Sequence, residues 1–167
     1  PALAALRRSY PTAFEYVEAA ARTGEGGGLV RSWLGRTCPP ASISVRESEE
    51  GEGPVVESAS VDPFGPRARA AARARGRFTR NFVIQATAAE WALVLLATLR
   101  TALEGSKAEL VLFVHDEVVV HCPAEESEQV VAAVHASAVQ AGRLLFGETT
   151  VRFPLDVSVV GAYADAK

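Results

Sequence analysis

Leu110-Val111-Leu112-Phe113-Val114-His115-Asp116-Glu117-Val118-Val119-Val120 sets three polar residues between two apolar runs, and its reading decides the fold. Each run has the length and the β-branched, aromatic composition of a strand. Two such runs this close together predict an antiparallel hairpin over about residues 109–122, with His115-Asp116-Glu117 at its tip. Adjacent residues on a regular strand face opposite sides, so a tight turn is where the Asp116 and Glu117 carboxylates can approach one centre. Two carboxylates among apolar residues are costly unless something positive neutralises them. A divalent cation, which takes carboxylate oxygens as ligands, meets that need. The plainer alternative is a polar turn, since Asp is common in turns. Ordinary hairpin tips tend to carry Gly or Asn, however, and this one has neither.

Working outward, a long helix is expected over Thr79–Leu103, with Gly105 as its stop. Its centre is apolar almost all round, which predicts burial on several sides. Arg77, Asn81 and Gln85 recur every four residues at its start and so share one face. Such side chains can read base edges or the minor groove of a duplex; the alternative is a solvated helix start. Residues 67–76, rich in alanine and arginine, form an exposed helix in this reading. Residues 67–80 hold six arginines and no acid, a cluster able to neutralise phosphates or simply to face water. Residues 44–62 have the opposite character, with six acids against Arg46.

Pro123 opens an amphipathic helix over about 124–142, with Val130, Val134 and Val139 inward. The alternation in Pro154–Val159 predicts a final strand. At the other end, Leu3, Leu6, Tyr10, Phe14, Val17 and Ala21 make one helical stripe, broken or restarted at Pro11. The glycine run at 24–28 ends it. Leu29–Leu34 reads as a short strand closed by Gly35-Arg36, and residues 37–66 as a flexible, Pro/Gly/Ser/Glu-rich loop. Helix, hairpin, helix and strand in that order argue for an α+β layer with an antiparallel sheet.

A length of 167 residues fits one domain or a large piece of one, and 49% hydrophobic content can fill a core. The net charge of −3 excludes a generally basic nucleic-acid binder, so any such contact must come from a local patch. Cys38 and Cys122 form no CxxC and fit free thiols in a reducing cytosol. His121, Cys122 and His135 match no standard zinc spacing. No signal peptide is visible, and the run Trp91–Leu99 is too short to span a bilayer. The absence of methionine leads to the expectation of a fragment or a processed piece.

Residues 77–122 resemble the family A DNA polymerases. The segment from Arg77 through Asn81, Gln85, Ala86, Thr87, Ala88 and Ala89 to Glu90 is similar to the family's Arg-x-x-x-Asn-x-x-x-Gln-Gly-Thr-Ala-Ala-Asp helix. Val114-His115-Asp116-Glu117 resembles its motif C, usually Gln-Val-His-Asp-Glu, about thirty residues further on. Tyr10-Pro11, Gly28-Leu29-Val30 and Gly35-Arg36 resemble upstream stretches of the family. Gly161-Ala162-Tyr163 and Ala166-Lys167 resemble its Gly-x-x-Trp-x-x-Ala-Lys terminus. The match therefore runs in order along nearly the whole chain. Departures are Ala86 for Gly, Glu90 for Asp, Phe113 for Gln, Tyr163 for Trp, and a longer stretch between Arg36 and Arg77. The alanine- and arginine-rich style suggests a bacterial, high-GC version.

The resemblance implies the C-terminal palm region of such an enzyme, with the motif C hairpin in an antiparallel palm sheet packed against long helices. Residues 1–36 would return from fingers to palm, 37–66 would be the acidic loop and 67–167 the palm subdomain. It implies Asp116 as a magnesium ligand, Glu117 as a support for the metal or primer end, and His115 as a contact to the primer terminus. Arg77, Asn81, Gln85 and Arg36 would bind primer–template DNA. The implied partners are that duplex and a dNTP, with no membrane, in a monomer of the bacterial cytoplasm and nucleoid. The family's Asp-(Tyr)-Ser-Gln-x-Glu motif and its Arg-x-x-x-Lys-x-x-x-(Tyr/Phe)-Gly nucleotide-binding helix are missing from these residues. The two-metal site is then incomplete, and the chain alone is expected not to polymerise. Two rivals stand beside this reading. One is a non-catalytic DNA-binding remnant that keeps motif C for packing. The other is an unrelated metal-dependent phosphohydrolase using Asp116 and Glu117.

Overall fold

The computed structural model describes residues 2–40 and 65–166. The acidic stretch at 44–62 and Lys167 lie outside the described residues. The class is α+β, as expected. The elements are α1 (Ala2–Ser9), α2 (Pro11–Glu25), α3 (Pro66–Ala102), β1 (Glu109–Val114), β2 (Glu117–His121) and α4 (Ser127–Phe146). Short 3-10 turns cover Ala124–Glu126 and Tyr163–Asp165. The chain divides into two units, Pro1–Thr87 and Ala88–Lys167, with the boundary inside α3.

In the first unit, Pro11 does what its chemistry dictates. It lacks an N–H, so it ends α1 and takes the first position of α2, where that donor has no helical partner anyway. Ala20 of α2 joins Val30, Cys38 and Val83 in a buried cluster, flanked by Val17 and Phe82. The two helices meet at small residues. A Cβ on Gly24 would lie 2.1 Å from Thr79 Oγ1, and one on Gly76 would lie 3.0 Å from the Ala21 carbonyl oxygen. Thr79 is fully buried and its hydroxyl donates to the Ala20 carbonyl at 2.9 Å. Arg80 pairs with Glu18 at 2.8 Å beside this crossing.

The strand expected over Leu29–Leu34 does not form. A single bridge joins Arg31 to Thr37, and the chain reverses between them. Ser32 holds the reversal: its N–H donates to the Arg36 carbonyl at 2.9 Å, and its hydroxyl accepts from Arg36 N–H at 3.0 Å. A serine that bonds locally competes with a ladder. Gly35, at φ +89°, supplies the left-handed residue that closes the turn.

The two helical segments anticipated around 67–76 and 79–103 are one continuous helix, α3. Gly76 does not break it, because that residue sits in the close approach to α2. The expected burial on several sides is also corrected. Thr79, Val83, Ala86, Glu90, Leu95 and Leu99 are buried, while Ile84 and Leu93 are half exposed. One face is covered, so the all-round apolar composition overstated the burial. α3 contains an 18-residue window apolar enough to cross a membrane, a test that core helices of soluble proteins also pass. Gly105, at φ +83°, ends the region just after α3 as expected.

In the second unit, Leu99 and Leu103 pack with Ala108 and with Val130 of α4. Leu110, Val118 and Val120 of the hairpin lie against this cluster. A neighbouring cluster joins Leu95 to Ala138 and Ala141, with Trp91, Val94 and Leu155. The inward face of α4 thus runs through Val130, Ala138, Ala141 and Leu145, with Val134 partly buried. Val139 was expected inward but is 58% exposed, one position off this stripe.

The final strand at 154–159 is also absent. Among the described residues the sheet has two strands, β1 and β2, and this segment pairs with neither. Alternation alone does not make a strand; a ladder partner is needed. The segment is held instead by aromatic stacking. Phe153 lies 5.2 Å from Trp91 and 5.4 Å from Phe146, centroid to centroid. Gly24→Ala should force the α2–α3 crossing apart. We expect a net loss of about 1–2 kcal/mol, overpacking outweighing the gain in helix propensity, as read by urea denaturation. Unchanged stability would show that the crossing adapts.

Candidate functional site

The hairpin register fixes what stands at its tip. Phe113 pairs with Val118 and Val114 with Glu117, so His115 and Asp116 alone make the turn. A two-residue hairpin needs a positive φ near its start, usually supplied by glycine or asparagine. Here His115 adopts it, at φ 55°, the one non-glycine among the described residues to do so. Histidine tolerates this region better than β-branched residues do, at a cost of order 1–3 kcal/mol. The ladder on both sides holds it there.

His115, Asp116 and Glu117 are all exposed. This corrects the argument that the carboxylates are costly because they sit in apolar surroundings. The apolar flank is itself open: Val111, Leu112, Phe113 and Val114 are 53%, 44%, 40% and 47% exposed. The carboxylates also differ in role. Asp116 lies in the turn, whereas Glu117 is the first residue of β2. Glu117 Oε2 accepts a hydrogen bond from the Tyr163 hydroxyl at 2.9 Å. Tyr163 belongs to the last 3-10 turn, so this bond ties the C-terminal segment to the hairpin. Reading the sequence alone gave Tyr163 no such role. Its only sign there was that it stands where the resembled family has a tryptophan.

Among the described residues, no three His, Cys, Asp or Glu side chains gather as a ready metal cage. Magnesium does not require one. It binds through one or two carboxylates and completes its shell with water and substrate phosphates. The hard oxygens of Asp116 and Glu117 suit that role, so the residues present fit part of such a site.

The other candidates lie on the first unit. Arg77, Asn81 and Gln85 are exposed on α3. They stand on the side away from Thr79, Val83 and Ala86, which are buried. Arg36 is exposed while its backbone is locked to Ser32 in the tight turn. The Trp33 N–H donates to Thr87 Oγ1 at 3.3 Å, tying that turn to α3. Ala86, where the resembled helix has glycine, is buried against its neighbours, and Glu90 is also buried.

The model of DNA polymerase family A matches residues 2–164, nearly the entire chain, so this protein belongs to that family. A search of curated proteins finds no match.

The bond between Tyr163 and Glu117 has a consequence for titration. Donation to the carboxylate favours the neutral phenol, and a tyrosinate would meet a like charge. Both raise the Tyr163 pKa from its ordinary 10.0, with slight desolvation adding to them. The bond's contribution is therefore present below the ordinary tyrosine pKa and is lost as pH rises through the raised value. Glu117→Gln should return Tyr163 to the ordinary range, as followed by tyrosinate absorbance with Tyr163→Phe as reference. An unmoved titration would mean that the bond is not kept in solution.

Proposed function

We propose that this chain supplies the motif C carboxylate and part of the primer–template surface of a template-directed DNA polymerase that serves replication and repair. The observation that carries this is Asp116: an exposed turn carboxylate beside a left-handed His115, in a chain that the family matches over residues 2–164. Asp116 would bind magnesium, Glu117 would support the metal or the primer end, and His115 would touch the primer terminus. Tyr163 would hold the Glu117 carboxylate in place through its hydroxyl. Arg77, Asn81, Gln85 and Arg36 would contact the duplex, Arg77 and Gln85 mainly from the minor groove. Minor-groove acceptors are nearly alike for every Watson–Crick pair, so such contacts check pair shape without reading sequence. Phe113 presents an apolar ring where the family usually has glutamine, which removes one polar duplex contact.

The reaction is nucleotidyl transfer to a primer 3′ hydroxyl, with pyrophosphate leaving. Magnesium, when bound, supplies charge stabilisation at the attacking and leaving oxygens. A second carboxylate motif and the nucleotide-binding helix would come from other residues of the parent polypeptide, and with them the dNTP site. In this reading 67–167 is palm, 1–36 returns from the fingers, and the enzyme works as a monomer in the bacterial cytoplasm. The second reading is a DNA-binding remnant without catalysis. It draws on the lack of that second carboxylate motif within these 167 residues.

Primer extension with magnesium separates the two. The 167-residue chain should be inactive, and a polypeptide carrying the upstream motifs should be active. Asp116→Asn in that longer form should slow the chemical step by about 100-fold or more, with duplex affinity nearly unchanged. Activity in the short chain would contradict its incompleteness, and inactivity of every form with duplex binding kept would favour the remnant. Gln85→Ala should reduce mismatch discrimination roughly fivefold, the worth of one hydrogen bond of about 1 kcal/mol. An unchanged error rate would remove Gln85 from the minor groove.

A further inference from the structure

Side chains four apart on a helix form continuous rows. Between residues 67 and 86, α3 has four of them, and they differ sharply in chemistry. Arg67, Ala71, Arg75, Thr79 and Val83 run into the buried crossing with α2. Ala68, Ala72, Gly76, Arg80 and Ile84 make a second row, in which Arg80 is engaged by Glu18. Ala70, Ala74, Phe78, Phe82 and Ala86 make an apolar third. The fourth is Arg69, Arg73, Arg77, Asn81 and Gln85, polar at every position and exposed at every position.

Outside the fourth row, Arg67 is exposed with no side-chain ion pair or hydrogen bond among the described residues, while the other two arginines are engaged. Arg75 lies over the Phe78 ring at 5.4 Å and Arg80 pairs with Glu18. The side chains of Arg69, Arg73 and Arg77 have no ion pair or hydrogen bond among the described residues, and no acid occurs between 67 and 80. Two hydrogen-bonding amides thus continue into three guanidinium groups that have no partner among the described residues, along one ridge. At 1.5 Å rise per residue, the ridge spans roughly 24 Å, or about seven base-pair steps. Arginine forks match phosphate oxygens in pairs. Asn81 and Gln85 can donate and accept, as base edges require but an acidic peptide does not.

We propose that Arg69 and Arg73 extend the duplex surface of this helix as phosphate contacts, so that one ridge holds the DNA from Gln85 back to Arg69. The proposal rests on the duplex-binding reading of Arg77, Asn81 and Gln85. The ridge crosses the exposed half of the helix obliquely, so a strand lying along it passes from base-edge contacts to backbone contacts without leaving α3.

The test is the salt dependence of binding of the 167-residue chain to a primer–template duplex, measured by fluorescence anisotropy. Each phosphate contact adds about 0.9 to the slope of log affinity against log salt. Arg69→Gln with Arg73→Gln should lower that slope by about 1.8. Arg67→Gln with Arg75→Gln removes the same charge from another row and should change it by less than about 0.5. Arg69→Lys with Arg73→Lys should restore most of the slope, and circular dichroism checks that each variant is folded. Equal losses from the two glutamine pairs would reduce the effect to bulk charge and overturn the ridge. So would binding to polyglutamate in place of duplex, which would indicate an acidic protein partner. If Gln85→Ala weakens duplex binding while the Arg69/Arg73 pair does not, the ridge fails and the duplex reading stands. If the wild-type chain binds no duplex, both fail.

Discussion

The pairing of Val114 with Glu117 leaves two residues to reverse the chain, and the candidate chemistry depends on that constraint. A shift of one residue in this register would move every hairpin side chain to the other face. Leu110, Val118 and Val120 would then leave the cluster formed by Leu99, Leu103, Ala108 and Val130. Burial on one face thus protects the placement of the tip on which Asp116 stands. The positive φ of His115 is what the register costs, at a residue that the functional reading also requires.

The two units present different chemistry. The first offers a helix whose buried side is set by the close approach of Gly24 and Gly76 to their neighbours, and whose opposite side is polar. The second offers carboxylates at the tip of a two-stranded hairpin, one of them held by Tyr163. Positioning functional groups on regular elements rather than on long loops gives the precision that phosphoryl-type chemistry demands. The overall acidity of the chain, net −3, does not oppose a nucleic-acid role, because its arginines are concentrated on α3.

Much of this was legible in the sequence. The hairpin, the break at Pro11, the stop at Gly105 and the helix after Pro123 all follow from local chemistry. The errors have two causes: the turn at Ser32 is local, while the others depended on partners that lie elsewhere in the chain. Leu29–Leu34 reads as a short strand and Pro154–Val159 alternates like one, yet the first reverses on Ser32 and the second stacks through Phe153. The continuity of α3 through Gly76 rests on that residue's close approach to Ala21. Val139 lies one position off the buried stripe of α4, a distinction that a valine-rich helix conceals. The polar row on α3 was visible at three positions from spacing. Its continuity through Arg73 to Arg69 follows only from α3 being unbroken. The bond from Tyr163 to Glu117 joins residues far apart in sequence, and no local pattern announces it.

The central claim is that Asp116 binds a divalent metal directly. Replacing its hard oxygens with a soft sulfur tests this, because metal choice follows ligand softness. Asp116→Cys, in the polypeptide that carries the upstream motifs, should lose primer extension with Mg2+ and regain much of it with a thiophilic cation such as Cd2+. The unsubstituted protein should show the opposite preference. Equal loss in every metal, with duplex binding intact, would mean that Asp116 shapes the hairpin tip without touching the ion.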